Sequence, residues 1–188
     1  ARADVFRTEH GWKACELNCD TPSGQAEAVL LGEMACEGRP AAIDPSARLL
    51  PSIVRACEEM ARAARPRPSR LALGLLYPTE MTEDLSMIAL YRRAFEAAGW
   101  DVVLGSPYNL ELGKSGRATL FGKECDVMLR HYKTDWWGER EPVWDDAIAL
   151  PDPDPLIDPL RVALEAQATG ATAFVNPFGA VLPQNKRA

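Results

Sequence analysis

The sequence predicts an α/β protein in which a short β-hairpin and two helices precede a parallel, doubly wound layer. Three observations carry this. Residues 13–19 alternate polar and apolar with the period of a strand. Leu50, Ile53, Val54, Cys57, Met60, Ala61 and Ala64 fall along one helical stripe. From Arg70 onward the pattern runs strand, helix, strand. The chain has 188 residues, 47% of them hydrophobic, which is enough for a substantial core.

Residues 2–8 read as the first strand and Glu9-His10-Gly11 as a three-residue loop, so the next strand returns antiparallel. That register sets Arg2 opposite Asn18 and Asp4 opposite Glu16, with opposed Cβ atoms about 4.5 to 5.5 Å apart. Glu16 and Asn18 then share a polar face, while Cys15, Leu17 and Cys19 share an apolar face expected to be buried. Thr21 can cap a helix with Pro22 at its first position. The helix runs on from Gln25 to Cys36, with Ala28, Leu31 and Cys36 near one face, and Gly38-Arg39-Pro40 ends it. Its free N–H groups point where Glu16 and Asn18 point, and can hold an anionic substrate group or serve as a plain cap. A second helix spans residues 51–64, and Arg65-Pro66-Arg67-Pro68-Ser69 then marks a boundary or tether.

Residues 71–77 are nearly all apolar, as in a strand covered on both faces. Thr82 caps a helix through Ala98, Glu83 and Asp84 fall in its first turn, Gly99 stops it, and residues 101–104 form the next strand. Residues 110–121 resemble a hairpin turning at Lys114-Ser115-Gly116. Gly113-Lys114-Ser115 is not a phosphate-binding loop, because Tyr108 stands where that motif needs glycine. Strands at 126–132 and 171–175, with a helix over 155–167 between them, complete a Rossmann-like layer of about three to five strands. Arg130-His131-Tyr132-Lys133-Thr134-Asp135-Trp136-Trp137 ends one of these strands, where open α/β sheets bind ligands. The tryptophans equally suit packing between domains, and His10 and His131 read as ordinary surface or hydrogen-bonded histidines.

Composition removes several classes. A net charge of −6 without a basic stripe argues against a nucleic-acid partner. The arginines of residues 62–70 surround Pro66 and Pro68, as in a solvated linker. No long apolar run or signal-like N-terminus indicates membrane insertion or export, so a cytoplasmic enzyme is the default. Five cysteines without framework spacing fit reduced thiols, and Cys15 and Cys19 lack the partners of a zinc site. The chain starts inside its first strand and stops in what reads as a beginning helix. An interior fragment of a longer protein is therefore expected.

The chemistry concentrates on the hairpin. Asp4, Glu16 and Asn18 make an oxygen-rich cluster beside Arg2, and opposed like charges destabilise a sheet unless a cation lies between them. Few, hard oxygen ligands suit magnesium better than zinc. On composition alone the same face also reads as solvated surface. The constellation Arg2-x-Asp4 followed by Glu16-x-Asn18-x-Asp20-Thr21-Pro22-Ser23 resembles the metal-site signature of the glutathionylspermidine synthase family, whose catalytic half is a circularly permuted ATP-grasp ligase. Asn176-Pro177-Phe178-Gly179 and Gln184-Asn185-Lys186 resemble that family's Asn-Pro turn and Asn-Lys helix start. The similarity runs from Arg2 to Lys186, with its specific motifs at the two ends and only a common layout between them.

The resemblance implies part of an ATP-grasp catalytic sheet and its helix over residues 1–45, and a helix and linker over 46–69. A Rossmann-like (preATP-grasp) α/β layer follows over 70–181, and the ATP-binding lid region begins at 182–188. It implies an ATP-dependent carboxylate-amine ligase that phosphorylates an acid to an acyl phosphate, which an amine attacks to give an amide. In that scheme Arg2 is catalytic and stabilises developing charge, and Asp4, Glu16 and Asn18 hold Mg2+. Asp20, Thr21 and Ser23 bind the acid substrate, and Lys133 and Lys186 bind ATP. Glutathione and a polyamine-like amine are the substrates it suggests. The amidase half of bifunctional relatives, with its cysteine nucleophile, has no counterpart here. The lid would lie beyond Lys186, so the 188-residue chain by itself is expected to be inactive. The rival class is a non-catalytic α/β module that holds a ligand or partner.

Overall fold

The computed structural model describes residues 2–64, 69–79, 84–139 and 154–184. The alternating segments Arg2–Thr8 (β1) and Gly11–Asn18 (β2) pair antiparallel, with Arg2 opposite Asn18 and Asp4 opposite Glu16. The turn is tighter than a three-residue loop. Thr8 pairs with Gly11, whose φ is +99°, leaving Glu9 and His10 at the tip. The offset is absorbed by a bulge between Asp4 and Val5, where Cys15 is the extra residue, so the register at the polar end is the expected one.

The hairpin's burial is inverted. Arg2, Asp4, Glu16 and Asn18 are half-buried, whereas Leu17 is 41% and Trp12 71% exposed. Cys15 is exposed and Cys19 half-buried, not sheltered in a core, because the pair forms a two-stranded sheet of its own.

Gln25–Cys36 forms α1 and Leu49–Ala64 forms α2. α1 begins after Gly24, whose φ is +79°, and not at Pro22. The preceding residues are tied elsewhere by hydrogen bonds from Asn176 to the Asp20 carbonyl and from Arg2 to the Ser23 carbonyl. α1 buries Ala26 and Val29, while Ala28 and Leu31 are exposed. α2 buries Cys57 and Ala61 with Ile53, Val54 and Met60 packed alongside, as its stripe requires. Residues 65–68 of the expected tether lie outside the described residues, as do Thr82 and Glu83.

Ala72–Leu76 (β3), Leu85–Ala97 (α3) and Asp101–Gly105 (β4) make a parallel βαβ unit. Leu110–Leu112 (β5), Ala118–Leu120 (β6) and Lys123–Glu124 (β7) form a small antiparallel sheet, and Gly113-Lys114-Ser115 lies in its first turn. Val127–Arg130 (β8), Ile157–Ala168 (α4) and Ala173–Val175 (β9) complete the pattern. The parallel sheet has the order β4-β3-β8-β9, so the chain reverses direction across the sheet between β3 and β8. Ligands of open α/β sheets bind at the carboxyl ends of strands beside such a reversal.

Both faces of this sheet are covered, as the continuous apolar β3 demands. Leu73 and Leu75 pack with α1, α2 and α3 on one side, and Leu76, Met128 and Phe174 pack with Ala163 and Ala166 of α4 on the other. α1 and α2 thus share a core with the parallel layer through Ala26, Val29, Cys57 and Ala61. Among the described residues no helix is long and apolar enough to cross a membrane.

Gly74 of β3 stands beside Met128 of β8 in the parallel sheet. A Cβ there would run into the Met128 thioether and meet Leu120 at 3.1 Å. Met128 is itself fully buried and has little room to give way. Gly74→Val should therefore lower stability by about 1 to 3 kcal/mol through overpacking, checked by urea unfolding.

Candidate functional site

The site grows from the turn that leaves β2. Asp20 is 5% exposed, and its carboxylate takes hydrogen bonds from the Arg130 guanidinium, the Thr134 backbone N–H at 2.8 Å and the Thr134 hydroxyl at 2.7 Å. Gln184 Oε1 accepts from the backbone N–H groups of Cys19 at 2.9 Å and Asp20 at 3.1 Å. The Asn176 amide donates to the Asp20 carbonyl. One residue of the hairpin connection is thereby bound to the end of β8, the end of β9 and the turn beyond it.

Arg130 is the other half of this knot. Its side chain is fully buried, and it donates to the carbonyls of Asn176 and Tyr132 as well as to Asp20, while its plane lies 4.7 Å from the Phe178 ring centre. Burial acts to raise the Asp20 pKa, but the Thr134 N–H, the Thr134 hydroxyl and Arg130 together outweigh it and hold the carboxyl below its ordinary value.

Arg2 continues the framework on the hairpin's polar face. Its Nε lies 3.1 Å from the Asp4 carboxylate, and a terminal nitrogen donates to the Ser23 carbonyl at 3.0 Å. The cation expected between opposed carboxylates is supplied in part by Arg2 itself.

A cavity of about 400 Å³ opens where these parts meet. Arg2, Asn18, Asp20, Thr21, Ser23 and Lys133 all line it, together with Asp135, Val181 and Gln184. Residues separated by more than a hundred positions in the sequence are thus brought to one space. Asp4 and Glu16 do not line it and stand farther along the same hairpin face. Lys133 is exposed with its ammonium 4.6 Å from the centre of the Trp136 ring, a cation-π contact. Lys186 lies outside the described residues.

Asp20 differs from its expected role. Its oxygens already hold Arg130 and Thr134, so it orders the cavity wall instead of offering a free carboxylate. Trp137 packs within the second core against Tyr132 and Phe178. His131 is buried and its Nε2 lies 3.3 Å from Asp84. Arg130, Thr134 and Gln184 lie in stretches that the sequence marks as functional, but sequence reasoning gave none of the three a role of its own in forming the site. The available signal was an arginine at the end of an otherwise apolar strand, a position that demands a buried partner.

For a metal, the described residues contain no group of three or more His, Cys, Asp or Glu side chains suited to binding an ion. The hairpin donors are two carboxylates and one amide. Asn18 Nδ2 is buried without a hydrogen-bond partner. Turning that amide over presents its oxygen at the same point, and an all-oxygen set of this kind has the chemistry that a largely hydrated Mg2+ takes. It does not fit zinc.

No protein-family model matches the chain, and no curated protein matches it.

Asp20→Asn keeps the shape of the knot and removes its negative charge, leaving the buried Arg130 guanidinium uncompensated. The loss at pH 7 should be about 3 to 5 kcal/mol by urea unfolding. The carboxyl titrates lower in the folded than in the unfolded chain. Its contribution is therefore complete above the ordinary value of 3.8 and is lost as the pH falls through the folded value. The difference between wild type and variant should shrink over that acid range.

Proposed function

We propose that this chain belongs to an ATP-dependent carboxylate-amine ligase similar to the glutathionylspermidine synthases, with a permuted ATP-grasp arrangement and a cytoplasmic setting. The observation that carries the reading is the shared cavity: Arg2, Asn18, Thr21, Ser23 and Lys133, chosen from sequence motifs, line one space at the carboxyl end of a parallel sheet.

In this reading Asp4, Glu16 and Asn18 hold Mg2+, which when bound neutralises charge on the ATP phosphates and so favours phosphoryl transfer. Arg2 is anchored at Asp4 and the Ser23 carbonyl, and its guanidinium on the cavity wall offsets charge developing on the acid substrate. Thr21 and Ser23 orient that acid. Lys133 and Lys186 carry the positive charge for ATP, and the amine attacks the activated carboxyl group.

A second reading, a non-catalytic α/β binding module, is favoured by one observation. The Arg2–Asp4 ion pair supplies a local cation, so the hairpin can stand without a metal.

An ATP hydrolysis screen of the full-length protein with Mg2+ decides between them. Glutathione, small peptides and polyamines are the reactants to test. ADP release stimulated by an acid and amine pair is expected, falling roughly 100- to 1000-fold in Glu16→Gln while cooperative unfolding is retained. No stimulation by any pair, with no Mg-ATP binding in calorimetry, would give the case to the binding module.

A further inference from the structure

A second cavity lies across the Asp20–Pro22 turn from the first, bounded by α1, α2, α3 and the ends of β8 and β9, with a volume of about 160 Å³. Asp20, Thr21 and Pro22 are common to both walls. A space of this size is comparable with apolar cavities of roughly 150 Å³ that take a benzene-sized molecule.

Its lining has a definite chemistry. Ile53, Ala56, Leu129 and Val175 contribute apolar surface. The polar groups at its edge are already engaged: Arg130 pairs with Asp20, and His131 Nε2 lies 3.3 Å from the Asp84 carboxylate. Burial pushes the Cys57 thiol and the Tyr91 phenol up to about 12, so both stay neutral. Neutral polar side chains complete the wall: Thr21, Asn176, whose amide donates to the Asp20 carbonyl, and Tyr91, whose hydroxyl donates to Gln25 Oε1 and keeps lone pairs able to accept from a ligand hydroxyl.

We infer that this cavity is a specificity pocket for a neutral, ring-sized or branched apolar substituent bearing one hydroxyl-like group, carried by the ligand that occupies the larger cavity. A charged group is disfavoured there, because it would be desolvated beside an Arg130–Asp20 pair that is already satisfied. Calling that ligand a ligase substrate rests on the function proposed above; the preference of the pocket does not.

The test uses phenol as the probe, with benzene, benzoate and benzylammonium for comparison, titrated into the protein without ATP or magnesium and followed by amide NMR shifts. Phenol should bind saturably and shift Cys57, Tyr91 and Leu129. Benzoate and benzylammonium should bind at least about tenfold more weakly. Ala56 is exposed on α2, so Ala56→Phe can fill the cavity without displacing core side chains, and should weaken phenol about tenfold or more. Gln25→Leu should reduce the preference for phenol over benzene. The inference is overturned by the absence of saturable phenol binding, by shifts confined to other residues, by unchanged binding in Ala56→Phe, or by benzoate binding as well as phenol. The wild-type shift map stands even if a variant fails to fold. Because ATP is absent, failure here leaves the ligase assay unaffected, and a failed ligase assay leaves the pocket in place.

Discussion

The buried pair of Asp20 and Arg130 is the constraint on which the arrangement of the site depends. A fully buried guanidinium is tolerable only when its hydrogen bonds are satisfied, and Arg130 meets that demand with two carbonyls and one carboxylate. The carboxylate comes from the far end of the chain's first hairpin. Folding of the parallel layer therefore creates a buried charge that, among the described residues, the hairpin connection neutralises through Asp20. Stability and site geometry are linked through one interaction.

This linkage explains how a two-stranded hairpin holds a defined position. An isolated hairpin is marginal in water, and here its apolar side, with Val5 50% and Trp12 71% exposed, has little to bury. Its placement comes instead from the polar end. Gln184 ties the two residues that follow β2, Arg2 ties Ser23, and Asp20 ties the turn to β8. The same turn separates the two cavities, so any change in the knot is felt on both sides.

Much of this was legible in the sequence, for identifiable reasons. Strand parity placed Arg2 against Asn18 and Asp4 against Glu16 even though the turn was drawn one residue too long, because the bulge at Cys15 restores the register. The stripe of α2 was legible because its apolar residues are strongly one-sided. That of α1 was not, since Ala, Val, Leu and Met surround most of the helix and its contacts alone select Ala26 and Val29. Thr21-Pro22 has the form of a helix start, yet the tertiary bonds of Asp20 keep it in a loop. Local preference lost to a buried charge. The bonds of Thr134 and Gln184 to residues 19 and 20 carry no local signal, for they exist only once distant segments meet.

The most direct measurement is a double-mutant cycle on stability with Asp20→Asn, Arg130→Met and the double variant. Each single change leaves one partner unmatched, so the double variant should be less destabilised than the two losses combined, with a coupling of roughly 1.5 to 3 kcal/mol. Amide exchange across β1 and β2 should rise in both single variants. Additivity within about 0.5 kcal/mol, with unchanged hairpin exchange, would contradict the claim that this pair holds the hairpin to the sheet.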